Sequence, residues 1–130
     1  MANTISQRTL FGDANTKIVA RSIHIISDGT EVTDLVIYDN SAFIADVTKG
    51  KVIAIHVSGS YSGAVRLEFD ATTDTPITSM GIGDNAGTHH FEEFGGIKNP
   101  GGAGVTGDIT LTTTKLANLD EVHIIIEIEQ

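Results

Sequence analysis

The segment Glu121–Glu129, with the sequence EVHIIIEIE, decides the fold class of this protein. Its side chains alternate with a period of two, which is the repeat of an extended strand. One face of that strand would carry Val122, Ile124, Ile126 and Ile128. The opposite face would carry His123, Ile125, Glu127 and Glu129. We therefore predict a β-strand whose apolar face packs on a core and whose other face is more polar.

The same alternation recurs along most of the chain. It predicts strands over residues 17–27, 32–38, 42–47, 51–58, 64–70, 77–82, 88–94, 108–116 and 121–129. The chain has 17 Ile, 9 Val and 16 Thr against 6 Leu, a bias toward residues that fit a pleated surface. The weak helical candidate is the connection over residues 115–120. Short strands at this spacing predict an all-β protein, an antiparallel sandwich or barrel, and a jelly roll is one member of that group.

For two of these strands, the sequence predicts which side chains share a face. In residues 51–58 the side chains of Ile53, Ile55 and Val57 share one face, opposite Val52, Ala54 and His56. In residues 64–70 the apolar side chains Val65, Leu67 and Phe69 alternate with Arg66, Glu68 and Asp70. We expect the three charged residues of the second strand to face water.

We predict one β-sandwich domain over residues 17–130, preceded by a polar N-terminal arm over residues 1–16. An arm of this kind becomes ordered by lying on a neighbouring subunit, or stays disordered. Residues 71–107 hold nine of the 14 glycines and both prolines. This part of the domain is predicted to be one long Gly-rich loop region.

Charge and composition exclude several classes of function. The net charge is −9, from 17 acidic and 8 basic residues, and such a field repels nucleic acid and anionic membranes. Cysteine is absent, which excludes disulfides, thiolate nucleophiles and sulfur-ligated zinc. No export signal is visible at the start, and the apolar runs are too short to span a bilayer.

The most ligand-rich stretch is His89–Glu93, which offers His89, His90, Glu92 and Glu93 as metal ligands. Neighbouring residues of a strand point to opposite faces, so a site there needs partners such as His24, His56 or His123. We expect hydrogen-bonded sheet and surface residues instead, and no metal or cofactor. An acidic series formed by Asp28, Glu31, Asp34 and Asp39 lacks the spacing of a calcium-binding loop and indicates a solvated turn.

No catalytic motif is complete in this sequence. The segment over residues 59–63 has Tyr61 where a nucleophile elbow needs serine. Glu68 and Asp70 would lie about 7 Å apart on one strand, as a glycosidase pair can, but Arg66 shares that face. With no Trp and two Tyr, a platform for stacking sugars would be small. We predict that the protein is not an enzyme.

Both ends of the chain resemble one family. The segments over residues 17–19, 23–31 and 35–41 resemble the opening of small virion structural proteins of tailed bacteriophages. The ending, over residues 107–113 and 121–128, is similar to theirs as well. The resemblance implies a capsid decoration or cement protein on the virion surface that contacts the major capsid protein or other virion proteins. It implies no catalytic residues.

We therefore expect a homo-oligomer, such as a trimer, that stabilises a phage head by protein contacts. The expected apolar anchors of its interface are Leu10, Phe11, Phe91 and Phe94, and the alternative for each is packing on its own core. Alternative functions are a tail, collar or fibre-base virion protein and a carbohydrate-binding sandwich that uses the Gly-rich loops as its rim. In the carbohydrate alternative, Tyr61 and His90 would contribute to binding.

Overall fold

The computed structural model describes residues 3–43, 46, 49–80 and 87–130. Within these residues the chain forms ten strands and two 3₁₀ helices, Asn40–Ala42 and Glu92–Phe94. The strands are β1 Thr4–Phe11, β2 Ile18–Asp28, β3 Leu35–Tyr38, β4 Lys51–Ser60, β5 Ala64–Phe69, β6 Thr75–Met80, β7 Gly87–His90, β8 Ile97–Lys98, β9 Ile109–Thr114 and β10 Asn118–Glu129. In this described part of the chain, no helix has the length and apolar character needed to cross a membrane.

The strands form two antiparallel sheets that pack face to face, which confirms the predicted all-β sandwich-like fold. The larger sheet has the order β1-β2-β10-β4-β7, and the short β8 also pairs with β4. The smaller sheet has the order β3-β9-β5-β6. From β2 to β5 every connection crosses from one sheet to the other. The chain therefore builds both sheets together, and residues distant in sequence become neighbours.

The core lies between the sheets and is filled by alternate residues of both. On β10 the predicted inward residues Val122, Ile124, Ile126 and Ile128 are at most 1% exposed. On the smaller sheet, Leu67 of β5 and Leu111 of β9 lie directly opposite each other, and both are fully buried. Burying such side chains stabilises the fold by about 1.5–3 kcal/mol for each one. The pattern that predicted the fold is thus the pattern that forms its core.

The predicted face of β4 is wrong at its first residues. Ile55 faces the core as expected, but the pairing of β4 with β10 shifts register between Glu127 and Ile128. Val52 lies opposite Ile128 and joins the core cluster, while Ile53 becomes the extra residue of a β-bulge. A bulge reverses the alternation of faces, and it depends on the partner strand rather than on local sequence.

The expectation that Glu68 faces water is also wrong, because Glu68 is only 8% exposed. It lies opposite Thr110 of β9 on one side and Pro76 of β6 on the other. The guanidinium Nε of Arg66 is 3.0 Å from its carboxylate oxygen Oε1. Two flanking strands and the Arg66 side chain therefore cover this residue.

The N-terminal segment is not the arm that the sequence predicts. Residues 4–11 form β1, which pairs with β2 in a register that runs from Thr4 opposite Ile26 to Phe11 opposite Ala20. Every residue of β1 is exposed, so the strand has no inward apolar stripe that could reveal it in the sequence. Backbone hydrogen bonds to β2 order this segment within its own subunit.

Three other local expectations need correction. The predicted strand over residues 42–47 begins where the 3₁₀ helix Asn40–Ala42 ends, and residues 44, 45 and 47 lie outside the described part. The predicted strand over residues 88–94 ends at His90, because Glu92–Phe94 forms the second 3₁₀ helix. The helical candidate over residues 115–120 is not a helix: residues 115–117 connect β9 to β10, residues 118–120 begin β10, and Lys115 and Leu119 have positive φ.

The Gly-rich region over residues 71–107 is less irregular than expected. It contains β6, β7 and β8, of which the sequence predicted the first two in part. Residues 81–86 of this region, and with them the end of the predicted strand over residues 77–82, lie outside the described residues.

Candidate functional site

Four histidines lie in a row on the outer face of the larger sheet, one on each of four adjacent strands. We call this set the histidine row, and its members are His24 on β2, His123 on β10, His56 on β4 and His90 on β7. His24 and His123 are directly opposite each other, with ring centroids 5.6 Å apart. The rings of His56 and His90 are 6.1 Å apart and perpendicular.

Strand β10 supplies two carboxylates to this row. Glu121 Oε1 is 2.5 Å from Nε2 of His24, and Glu127 Oε2 is 2.6 Å from Nε2 of His56. Both glutamates belong to β10, where the period-two repeat puts them on the same face as His123. Each pair is about one-third to one-half exposed, so water competes for the interaction and weakens it.

Two hydroxyl groups and one further carboxylate contact ring nitrogens of His123, His56 and His90. Nε2 of His123 is 2.8 Å from Oγ of Ser22, and Nδ1 of His56 is 2.9 Å from Oγ1 of Thr88. His90 contacts the carboxylate of Glu92 at 3.3 Å. The side chains of the row are therefore positioned by hydrogen bonds before any ligand arrives.

A groove of about 410 Å³ lies over the β1 end of the row. Its lining residues are Ser6, Gln7, Arg8, Ser22, His24, Glu121 and His123. A second groove of about 220 Å³ continues across the sheet toward β7 and is lined in part by His56, Thr88 and His123. This surface offers hydrogen-bond donors and acceptors of several kinds to a polar ligand.

The contact between Ser22 and His123 has the distance of a nucleophile and its general base, yet the surroundings do not match that chemistry. Ser22 is only 7% exposed, so its hydroxyl is poorly placed to reach a substrate. The carboxylate of Glu121 contacts His24, and among the described residues no carboxylate contacts His123. The third member that orients a catalytic histidine is therefore missing from the described part.

The ligand-rich stretch His89–Glu93 is divided between two faces. His90 and Glu92 contact each other at 3.3 Å. His89 lies opposite Ile55 of β4, on the other face from His90. The partners that a metal site there would need, His24, His56 and His123, do lie on the same face as His90, but they extend in a row across the sheet. The sequence alone does not indicate which histidine Glu121 or Glu127 contacts, because strand pairing determines these contacts.

A second feature of the larger sheet is its free edge at β1. We call Thr4–Phe11 the β1 edge, because β2 pairs with one side of this strand and no described strand pairs with the other. Arg21 of β2 holds it in place, with Nη1 donating to Thr9 Oγ1 and Nη2 donating to Gln7 Oε1, both at 3.0 Å. The Nε of Arg21 donates to the carbonyl of Ile37, and partial burial lowers the pKa of the guanidinium.

The four predicted interface anchors lie at opposite edges of the larger sheet. Leu10 and Phe11 end the β1 edge and are 41% and 61% exposed. Phe91 precedes the 3₁₀ helix that follows β7 and Phe94 is its last residue, with ring centroids 6.1 Å apart. Phe94 is 66% exposed, whereas Phe91 is half-buried against the core. Four strand spacings separate β1 from β7, about 19 Å, so the structure does not bring the two pairs together.

Comparison with known protein families, with curated proteins and with solved structures gives no match for this chain.

Proposed function

We propose that this protein is a structural subunit of a self-assembling particle, of the type that decorates and reinforces the head of a tailed bacteriophage. In this proposal it acts through contact surfaces, binding other copies of itself and the major capsid protein. The observation that carries the proposal is the β1 edge, an eight-residue strand whose side chains are all exposed and whose outer side has no described partner.

An edge of this kind is uncommon in a protein that stays monomeric. Free backbone N–H and C=O groups are a template for another strand, and natural sheets protect their edges with Lys, Pro, bulges or very short strands. The sequence of β1, TISQRTLF, contains no Lys or Pro and only one charged residue, Arg8. Its one irregularity is the register shift between Thr9 and Phe11, near the end. Most of its length is free to pair.

The proposed partner at this edge is a second copy of the same chain. The segment over residues 3–12 contains no acidic residue, although the chain as a whole has a net charge of −9. Two copies that meet at β1 therefore avoid the mutual repulsion expected elsewhere on their surfaces. Leu10 and Phe11 would become buried in the same contact, adding apolar area to the backbone hydrogen bonds.

The order of the strands supports a role in a particle. The four strands β2-β10-β4-β7 face the four strands β3-β9-β5-β6, and β1 is added outside them. This order fits an eight-stranded jelly roll, an architecture used by viral capsid domains as well as by lectins. The same order is compatible with a tail or collar protein, so the location in the virion depends on the partner.

Light scattering coupled to size-exclusion chromatography tests self-association. We expect the wild-type protein to form an oligomer and Leu10→Lys to shift it toward monomer. Leu119→Lys is the matched control, because Leu119 is 72% exposed and belongs to β10 rather than to the β1 edge. A monomeric wild-type protein at high concentration, or equal effects of the two variants, would contradict the proposal.

Binding to the particle is tested by co-sedimentation with heads assembled from the major capsid protein of the same genome. We expect saturable binding by the wild-type protein and no binding by an unrelated β-sandwich of similar charge. Self-association without binding to heads would favour the tail or collar alternative.

A second candidate function is recognition of a polar ligand such as a carbohydrate, favoured by the groove of about 410 Å³ over His24 and His123. This groove lies on β1, β2 and β10, away from the Gly-rich loops that the sequence suggested as its rim. Tyr61, the other predicted contributor, is half-buried against the core. Glycan-array binding that Arg8→Ala abolishes and Phe94→Ala preserves would support this function over assembly.

A further inference from the structure

Three carboxylates gather on the smaller sheet, far from the histidine row. We call Asp34, Glu68 and Asp74 the acidic cluster. Asp34 immediately precedes β3, Glu68 lies on β5, and Asp74 immediately precedes β6. One carboxylate oxygen from each of the three residues lies within 4.8 Å of the others. Such proximity is costly unless a positive charge offsets the repulsion.

A buried hydroxyl on the neighbouring strand has no hydrogen-bond partner among the described residues. Thr110 of β9 is 2% exposed, and its Oγ1 makes no hydrogen bond within the part of the chain that the structure describes. Thr110 lies directly opposite Glu68, so the two side chains share one face of the sheet. Thr112 lies two positions after Thr110 on the same face of β9, and its Oγ1 is 3.5 Å from Oδ1 of Asp34. The Thr110 side chain therefore lies on the face of the sheet that carries Glu68 of the acidic cluster.

Each carboxylate of the cluster uses one oxygen in a contact with the protein. The contacts are Asp34 Oδ1 with Thr112 Oγ1, Glu68 Oε1 with Arg66 Nε, and Asp74 Oδ1 with the backbone N–H of Ala71. The second oxygen of each accepts no hydrogen bond from the described residues. Arg66 offsets one negative charge, and two remain without a described counter-charge.

We propose that the acidic cluster, together with the Thr110 hydroxyl, binds a hard divalent cation, with calcium as the best fit. Carboxylate and hydroxyl oxygens are the ligands that such cations prefer, and calcium accepts irregular sets completed by water. The ligands reach the site from four segments that include or adjoin β3, β5, β6 and β9. Bound calcium cross-links the whole smaller sheet and stabilises the folded state by mass action.

Calorimetric titration and thermal unfolding of the full-length protein test this proposal. After treatment with EDTA and dialysis, we expect saturable heat on adding CaCl₂ and a higher melting temperature with CaCl₂ than with EDTA. A parallel titration with MgCl₂ is expected to give weaker binding, because magnesium demands a more regular octahedral site. No saturable heat and no thermal shift with either cation would overturn the proposal.

Two variants distinguish a specific calcium site from general attraction of calcium to an acidic protein. Asp74→Asn is expected to weaken calcium binding by about tenfold or more, as loss of a ligand does. Glu93→Gln, which removes one negative charge from an exposed position outside the cluster, is the matched control and should bind like the wild type. Equal weakening in both variants would indicate diffuse attraction to an acidic protein and would overturn the site.

Thr110→Val tests whether the Thr110 hydroxyl is a ligand of the bound calcium. It replaces an unpartnered buried hydroxyl with a methyl group of similar shape, so the calcium-free protein should melt at a higher temperature than the wild type. The same variant should show a smaller increase in melting temperature on adding calcium. An unchanged calcium-induced shift in this variant would remove Thr110 from the proposed ligand set.

Discussion

His24 of β2 and His123 of β10 lie directly opposite each other, and their rings are 5.6 Å apart although 99 positions separate them in the chain. Each ring has its own partner at Nε2, Glu121 for His24 and Ser22 for His123. Neither imidazole can turn without losing a hydrogen bond. The two histidines that line the larger groove are therefore ordered before a ligand binds, which lowers the entropy cost of binding there.

Removing the hydroxyl of Ser22 should destabilise the fold. Ser22→Ala deletes the partner of His123 Nε2 at a position that is 7% exposed. We expect a loss of about 1 kcal/mol in the free energy of unfolding, measured by urea denaturation. Ser58→Ala is the control, because Ser58 lies opposite His123 on β4 but is exposed. Equal losses in the two variants would contradict a specific role for the Ser22 contact.

Gly63 is required by the turn between β4 and β5. Its φ is +79°, and a Cβ built there would lie 2.1 Å from the carbonyl oxygen of Thr114. Gly63→Ala is therefore expected to cost about 1–3 kcal/mol or more, since both the backbone conformation and the contact oppose a side chain. Gly95→Ala has a similar φ of +87° and nothing within 4 Å of the new Cβ. Denaturant unfolding should show the smaller loss for Gly95→Ala.

Replacing Asp108 should stabilise the protein at neutral pH. Burial raises the pKa of its carboxyl group, and the negative charges of Asp39 and Asp70 add to the effect. Because the folded state holds the proton more tightly than the unfolded state, Asp108 favours folding most below its ordinary pKa. This contribution is lost as the pH rises through the raised value. Asp108→Asn keeps an acceptor for the N–H of Asn40 and removes the charge.

The measurement for Asp108→Asn is the melting temperature at about pH 7 and about pH 3. We expect the variant to melt higher than the wild type near neutrality. Near pH 3 the wild-type carboxyl is itself protonated, so the difference should disappear. A lower melting temperature of the variant near pH 7 would show that the charge of Asp108 stabilises the folded state.

Asp120 should show the opposite pH dependence. Its pKa is lowered chiefly by the backbone N–H of Ser62, with further hydrogen bonds from the N–H of Ala117 and the hydroxyl of Ser62. All three donors meet its oxygen Oδ2, at 2.8–2.9 Å. The carboxylate therefore favours folding above its ordinary pKa, and this contribution is lost as the pH falls through the lowered value.

Asp120→Asn should accordingly lower the melting temperature at about pH 7, because a neutral oxygen accepts these bonds less strongly. The deficit should shrink as the pH falls below the ordinary carboxyl pKa and through the lowered value, because the wild-type carboxylate then becomes protonated. A deficit that stays constant with pH would mean that the geometry of the turn, rather than the charge of Asp120, is what the substitution disturbs.

The sequence predicted well where a strand keeps one face in the core. Along β10 the four inward residues are those that alternation selected, and on β5 the inward residues Val65, Leu67 and Phe69 are buried. It failed at β1, where no side chain enters the core. It also failed at Ile53, where a bulge set by the register with β10 moves Val52 into the core.

The four residues predicted as interface anchors differ in exposure. Leu10, Phe11 and Phe94 are exposed as an interface requires, while Phe91 is half-buried against its own domain. Whether the exposed anchors contact other subunits stays a prediction. The candidate sites themselves were not visible in the sequence, because each depends on residues from strands that are distant in the chain.

The sequence alone determined that β10 and β5 are extended and which of their apolar side chains are buried, since alternation is a local property of consecutive residues. Only the tertiary structure decided which strands are neighbours. Antiparallel pairing between distant segments set His24 opposite His123 and Thr110 opposite Glu68, and it left the β1 edge open. The physical reason is that register depends on how two sheets share one core, which no single segment specifies.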